Sequence, residues 1–319
     1  MELTNRTNVR EFILLGFGVE QHYQSLLLVF FTLLYVLTLI ENITIITLVL
    51  LDAKLSQLPM YILLSNFSWM EICYVSSSVP RMVFDLASSN KIISFHECFI
   101  QFYFFFSLGT TEFYFLSAMA LDRYLAICYP LRYPQIMSST SCYGLVAFCW
   151  VFGFLGHVVP LTLISRLSFC GPNIIDHILC DPGPLLSLAC PPLGYAPLSS
   201  QIAMYVLFFG NVSFVMLSYS LVIFTLMKSS NQGSQKKAFS TISMHMLVVT
   251  IFYGSVGGVY LIPGGENQSE VTKVGTAFYA AVTPFLNPLI YCLRNDQVKE
   301  ALGRLLSRMM GLVLRNATV

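Results

Sequence analysis

Along this chain, long apolar runs alternate with short polar breaks. Stretches free of lysine and arginine fall at about 24–51, 58–80, 98–122, 142–165, 197–227, 238–262 and 274–293. The second continues past Arg81 to about residue 87 if one cation is tolerated. Each is long enough to cross a hydrocarbon layer as a helix, which takes ~20 mostly apolar residues. Polar clusters bound most of them, such as Asp52-Ala53-Lys54, Ser88-Ser89-Asn90-Lys91 and Ser229–Lys237, and the run at 197–227 holds no charged residue. The pattern predicts an all-α membrane protein, a seven-transmembrane helix bundle. It divides the chain into an extracellular tail (1–23), the bundle (24–293) and a cytoplasmic tail (294–319). In that last segment Val298, Leu302, Leu305 and Met309 share one helical face, and Lys299, Arg304 and Arg308 take the other. A short amphipathic helix lying in the membrane interface fits this arrangement.

Composition agrees. Of 319 residues, 56% are hydrophobic and 10% charged, against ~25% charged in soluble domains. The net charge of +1 and the lack of any basic tract argue against a nucleic-acid partner. Residues 1–23 carry Glu2, Arg6, Arg10, Glu11 and Glu20 around the short stretch Phe12–Phe17. This pattern does not resemble a cleaved signal, and the first span is expected to act as an uncleaved signal-anchor. No repeat of three or more spans is visible, which counts against an ion-coupled transporter of inverted halves. There is no HExxH and no GxSxG, and His157 and His245 lack a recognisable sequence partner, so no enzyme is expected.

Cation placement sets the orientation. With the N-terminus outside, Arg6, Arg10, Arg81, Lys91, Arg166 and Lys273 lie at the outer side and the other eleven of the 17 lysines and arginines lie within. A multi-pass plasma-membrane protein is the expectation. Asn5-Arg6-Thr7 is then a glycosylation acceptor in the outer tail. Asn42, Asn66 and Asn211 fall inside spans and Asn316 falls on the inner side, leaving Asn267 as an open case in a short outer loop.

Four of the nine cysteines, Cys98, Cys170, Cys180 and Cys190, fall outside, where disulfides persist. They allow three connectivities. One of these, Cys98 to Cys180 with Cys170 to Cys190, would pin the loop at about 166–196 to the top of the third span and pinch its base. The same loop carries Asp176, His177, Cys180 and Asp181 at metal-like spacing, but an oxidised Cys180 cannot be a thiolate ligand.

Several motifs converge on one family. Pro59-Met60-Tyr61 opens the second span, MALDRYLAICYPLRY (119–133) closes the third, and Ser218-Tyr219 lies in the fifth. Lys237-Ala238-Phe239-Ser240-Thr241 opens the sixth, with Phe252-Tyr253-Gly254 at its middle, and Asn287-Pro288-Leu289-Ile290-Tyr291 ends the seventh before Leu293-Arg294-Asn295. In this order, over nearly the whole chain, the set resembles the rhodopsin-like (class A) G-protein-coupled receptors and, within them, the olfactory receptors of tetrapod type. The chain departs from the family pattern at Leu121, where Tyr is usual, at Glu71, usually Asp, and at Glu41, Ile242, Met244 and Cys292.

The resemblance implies roles. Asp122 would hold Arg123 at rest and release it to a heterotrimeric G protein with a Gs-like α-subunit, raising cAMP. Tyr124 belongs to the same motif, Tyr219 and Tyr291 would be the inner-face companions, and Asn287 with Pro288 would form a moving element. Glu71 and Glu112 would share a polar cavity with Asn42, Thr283 and Asn287, where they hold an allosteric Na⁺ or share a proton. No other cofactor is implied. The ligand, a small apolar odorant, would sit among Phe105, Phe106, Gly109, Thr110 and Phe113 of the third span and Ala203, Met204 and Leu207 of the fifth. Tyr253, Val256, Gly257 and Tyr260 of the sixth span, with Ala277 and Ala280 of the seventh, would complete the wall. None of these is Asp, Lys or Arg, which counts against an amine or carboxylate held by a salt bridge. A metabolite sensor of the same architecture is the alternative.

Overall fold

A computed structural model describes residues 9–170, 172–228, 232–261, 268–294, 297–305 and 307. Among these, seven helical spans form the bundle. The first is Gln21–Leu51, the second Pro59–Ala87 and the third Phe95–Cys128. The fourth runs Ser139–Leu155 and resumes at Val158–Ser165, the fifth is Ala196–Lys228 and the sixth Gln232–Tyr260. The seventh begins as Gln268–Ala277, passes through a π-helical turn at Phe278–Val282 and ends as Thr283–Arg294.

Local sequence explains the boundaries. Pro59 starts the second helix, where its missing N–H costs nothing. The third begins three residues before its apolar run because Ser94 and Glu97 form a reciprocal capping box: Glu97 N–H donates to Ser94 Oγ at 3.3 Å and Ser94 N–H to Glu97 Oε2 at 3.0 Å. The fourth run reads as one span, yet its helix breaks at Gly156-His157. Pro160 has no N–H to return to the carbonyl four residues back.

Among the described residues, five helices are apolar and long enough to cross a membrane by length and composition alone: the first, third, fourth and fifth, with Ile242–Tyr260 of the sixth. The second carries Glu71, Arg81 and Asp85, and the seventh is split by its π-helical turn. In the second, Arg81 and Asp85 neutralise one another one helical turn apart at 2.9 Å. The third and fourth helices meet where Gly153 faces Thr111. A Cβ there would fall 2.0 Å from Thr111 Oγ1, so only glycine permits the approach.

One end of the bundle, outer in the expected orientation, carries a small sheet that an all-helical reading does not include. Strand β1 (Glu11–Leu14) pairs antiparallel with β2 (Ile92–Ser94) and parallel with β3 (Ile174–Ile175). Phe12 and Leu14, two residues apart on one face of β1, are fully buried. Phe12 packs edge-on against Phe169 at 5.4 Å between ring centroids, and Phe95 meets Phe99 at 4.6 Å. Two disulfides close this end, Cys98–Cys180 and Cys170–Cys190. Asn5 and Asn267 lie outside the described residues.

At the opposite end, residues 297–305 are helical, with Val298 and Ala301 buried and Leu302 at the surface. Met309 lies outside the described residues. Arg304 Nη2 reaches Asp52 Oδ2 at 2.6 Å, and its hydrogen bond holds the Asp52 carboxyl below its ordinary range.

Gly153→Val forces the third and fourth helices apart. Overpacking of this kind costs about 1–3 kcal/mol, so the purified variant is expected to melt several degrees below the parent in a thermal-shift assay. An unchanged melting temperature would contradict the close approach.

Candidate ligand cavity and inner switch

Below the disulfide-bound loop, a cavity of about 260 Å³ opens between the third, fourth, fifth and sixth helices. Four of the sequence-proposed residues line it: Phe106, Ala203, Met204 and Tyr260. Thr110 approaches from one side, its Oγ1 3.2 Å from His157 Nδ1, and His157 itself lines the space. Phe105 and Gly109 stand instead against Tyr74 of the second helix, the Phe105 ring stacking on it at 5.2 Å. Beneath the cavity, Phe113 meets Phe252 at 4.8 Å and Tyr253 at 5.0 Å, forming a packed aromatic layer. Gly257 lets the Phe208 ring come within 3.0 Å of where its Cβ would be. Val256, Ala277 and Ala280 are buried in the same core, and Leu207 is half-buried, its carbonyl accepting from Asn211 Nδ2.

The expectation of a cavity wall free of acid is corrected. Asp181, 5% exposed, lines the cavity. Its Oδ2 accepts from the Tyr260 hydroxyl at 2.7 Å and its Oδ1 from the Gly183 N–H at 2.9 Å. Because the one Tyr260 proton goes to this carboxylate, Tyr279 on the π-helical turn is the donor in the 2.7 Å contact between the two phenols. With three connectivities open, the facing of the residue after Cys180 was not readable; the Cys98–Cys180 disulfide is what pins it above the third helix.

The same loop is latched to the seventh helix. Lys273 Nζ lies 2.6 Å from Asp176 Oδ1 and 2.8 Å from Glu270 Oε1, and Ser269 Oγ donates to Asp176 Oδ2 at 2.5 Å. His177 is buried, its Nε2 3.5 Å from Thr276 Oγ1. The metal-like spacing of this loop is thus taken up by a disulfide and an ion pair.

At mid-depth, Asn287 Nδ2 donates to Glu71 Oε1 at 2.6 Å and to Glu112 Oε1 at 3.1 Å, so three of the five proposed cavity residues converge. Oε2 of both glutamates, Oδ1 of Asn42 and Asn287 and Oγ1 of Thr283 are buried without a hydrogen-bond partner among the described residues. Such a set of unanswered oxygens suits a hard cation or bound water. Glu41, half-buried, likewise leaves its Oε2 without a partner among the described residues.

At the inner end Arg123 is hydrogen-bonded to Asp122, with Nε to Oδ2 at 2.8 Å and Nη2 closing the pair. Tyr133 donates to the other carboxylate oxygen at 2.7 Å. Tyr124 turns away, its hydroxyl 3.5 Å from that of Tyr129. Tyr219 meets His245 Nδ1 at 2.5 Å, and the Tyr291 ring lies 6.3 Å from the His245 ring. Tyr133 and His245 were not among the proposed switch residues, although one ends the Asp-Arg-Tyr block and the other follows the run that opens the sixth span.

Seven spans, a disulfide from the head of the third to the loop beyond the fourth, and an inner Asp-Arg pair define a rhodopsin-like seven-helix receptor. The crystal structure of squid rhodopsin superposes with a TM-score of 0.73, covering 90% of this chain and 81% of that one at 15% identity. The olfactory receptor family model matches residues 31–309. Human olfactory receptor 11H6 is 50% identical over 304 residues, covering 95% of this chain and 92% of the relative. Human olfactory receptor 11G2 is 49% identical over 301 residues, covering 94% and 87%. The chain belongs to the olfactory receptor family of G-protein-coupled receptors, and it is a membrane receptor and not an enzyme.

The latch is acid-sensitive. Burial holds the His177 imidazole below its usual range, and the hydrogen bond from Lys273 holds the Asp176 carboxyl below its own. Both folded values are depressed, so each contribution is full above the ordinary value, ~6.5 for His and ~3.9 for Asp, and is lost as pH falls through the folded one. Hydrogen-exchange protection of residues 174–181 is expected to be constant above about pH 6.5 and to decline in two steps below it. Lys273→Met should remove the lower step, and protection unchanged down to pH 3 in the parent would contradict the latch.

Proposed function

We propose that this receptor binds small, mostly apolar volatile ligands in the cavity beneath the disulfide-bound loop. Binding releases Arg123 from Asp122 and activates a stimulatory, Gs-like heterotrimeric G protein, raising cAMP. The protein sits in the plasma membrane with its N-terminus outside. The observation that carries this reading is the pairing of two sites in one bundle. An apolar cavity of about 260 Å³ lies at one end, and an arginine restrained by its neighbouring carboxylate lies at the other. Phe102, Phe106, Pro160 and Met204 supply dispersion contacts, while Asp181, Tyr260 and His157 orient a ligand through its polar group. Only a ligand that favours one arrangement of the bundle over the other shifts its equilibrium.

Glu71, Glu112 and Asn287, with Asn42 and Thr283, would hold Na⁺ in the resting arrangement. Bound there, the ion would offset two carboxylates that otherwise share a proton. Its role would be to tie the second, third and seventh helices together until the ligand acts.

Volatile panels applied to cells carrying the surface-expressed chain and a cAMP reporter test the reading. An agonist is expected to raise cAMP, and Arg123→Ala to abolish that response while surface delivery persists. A variant that still signals would leave Arg123 as a simple charge anchor. Tyr260→Phe takes away the hydroxyl offered to the polar group of a ligand, and one such hydrogen bond is worth about 0.5–1.5 kcal/mol, so agonist EC50 should rise about 2–12-fold with the maximal response retained. Unchanged EC50 for every agonist would place the ligand elsewhere.

A further inference from the structure

The cavity below the loop has one polar corner, where the Tyr260 hydroxyl donates to Asp181 Oδ2 at 2.7 Å. Asp181 has little room to move. It follows Cys180, which is bonded to the third helix, and its Oδ1 caps the short helix Pro182–Leu188 by accepting from the Gly183 N–H at 2.9 Å. Tyr260 approaches from the sixth helix and is half-buried, and its oxygen accepts from Tyr279 at 2.7 Å. It therefore has one proton to give, and Asp181 takes it. No lysine or arginine lines this cavity among the described residues, and His157 is engaged with Thr110 at 3.2 Å.

A ligand that enters this corner must leave both partners answered, because a buried polar group stripped of its hydrogen bond bears its full desolvation cost. An ether, ester or aldehyde only accepts; it can take the Tyr260 proton but leaves Asp181 Oδ2 without a donor. An ammonium only donates; it can answer Asp181 but has nothing to accept from Tyr260. A carboxylate only accepts and brings a like charge beside Asp181. A hydroxyl does both. Interposed, its oxygen accepts from Tyr260 and its own O–H donates to Asp181, so one hydrogen bond becomes two in series. Two such bonds meeting at a tetrahedral angle span roughly 4.4 Å, against 2.7 Å for the direct contact. The fixed partner is Asp181, so the opening falls on Tyr260.

We propose that the receptor selects small neutral alcohols, whose hydroxyl inserts between Tyr260 and Asp181. This rests on the reading of this cavity as the ligand site. Phe102, Phe106, Pro160 and Met204 receive the apolar body. The volume of about 260 Å³ suits a small one, since ligand pockets usually run ~300–1,000 Å³.

The test reads binding and signalling separately. The full chain in phosphatidylcholine nanodiscs is titrated with heptanol, its isomer hexyl methyl ether, heptanal and heptylamine, and with phenylethanol and its methyl ether. Binding is followed by saturation-transfer NMR, and the same compounds are applied to cells carrying the cAMP reporter. At least one alcohol is expected to bind about 10–100-fold more tightly than its ether, the value of a hydrogen bond to a charged group. In Asp181→Asn, Oδ1 keeps the Gly183 N–H and the amide nitrogen stands where Oδ2 stood, so an acceptor becomes a donor. The preference for alcohol over ether should then collapse to parity or reverse. An ether or aldehyde that binds as tightly as the alcohol would overturn the proposal. So would tighter binding of heptylamine, silence of both alcohols, or an unchanged preference in Asp181→Asn. An alcohol that binds without raising cAMP supports the inserted hydroxyl and overturns the coupling instead; a carbonyl compound that raises cAMP at lower concentration than either alcohol does the reverse. Should Asp181→Asn fail to fold, the alcohol-to-ether ratio of the parent chain decides alone.

Discussion

The bundle depends on how it buries two carboxylates at its centre. Glu71 and Glu112 are fully buried, and the single amide of Asn287 donates to both. An isolated charge at this depth costs several kcal/mol, so the three side chains constrain the second, third and seventh helices to one arrangement. The second and seventh are also the two spans that fall short of a simple apolar pattern. Glu71 of the second and Asn287 of the seventh meet inside the bundle, whereas Arg81 and Asp85 neutralise one another within the second helix.

At the outer end a different constraint operates. The long loop after the fourth helix would cost conformational entropy if left free, and it is tied at four places. Cys180 joins the third helix, Cys170 and Cys190 close the base, Ile174–Ile175 extends the sheet, and Asp176 pairs with the seventh helix. These ties leave Asp181 with little freedom, which is why a loop residue can serve as a fixed wall of the cavity. A loop held by the disulfide alone would pivot about Cys180, and the contact between Asp181 and Tyr260 would vary with it.

Sequence legibility follows the same division. The seven spans were readable because a helix in lipid must be long and apolar, and the motif residues Asp122, Arg123, Glu71, Glu112 and Asn287 meet the partners expected for them. The break at Gly156-His157, the π-helical turn at Phe278–Val282 and the strand Glu11–Leu14 were not legible. Each is local in chain terms but is settled by contacts between distant segments, Phe12 against Phe169 among them. The cavity was legible only in part. Spacing places Phe105 and Phe106 next to each other, but it cannot tell which looks toward Tyr74 and which toward the ligand space. Asp181 was missed because a loop has no period from which to read its facing.

The sixth helix joins the two ends. Tyr260 holds Asp181 at the cavity, Phe252 and Tyr253 rest on Phe113 in the middle, and His245 holds Tyr219 near Arg123. From Tyr260 to His245 is fifteen residues, ~22 Å of helix, and Gln232–Tyr260 contains no proline to absorb a bend. Gly257 sits one turn from the cavity end, where the Phe208 ring fills the room its side chain would have taken, while Gly254 and Gly258 face open space. One helix thus has a hydrogen bond near each end, Tyr260 to Asp181 at the cavity and His245 with Tyr219 at the inner end, so the two sites share a single structural element.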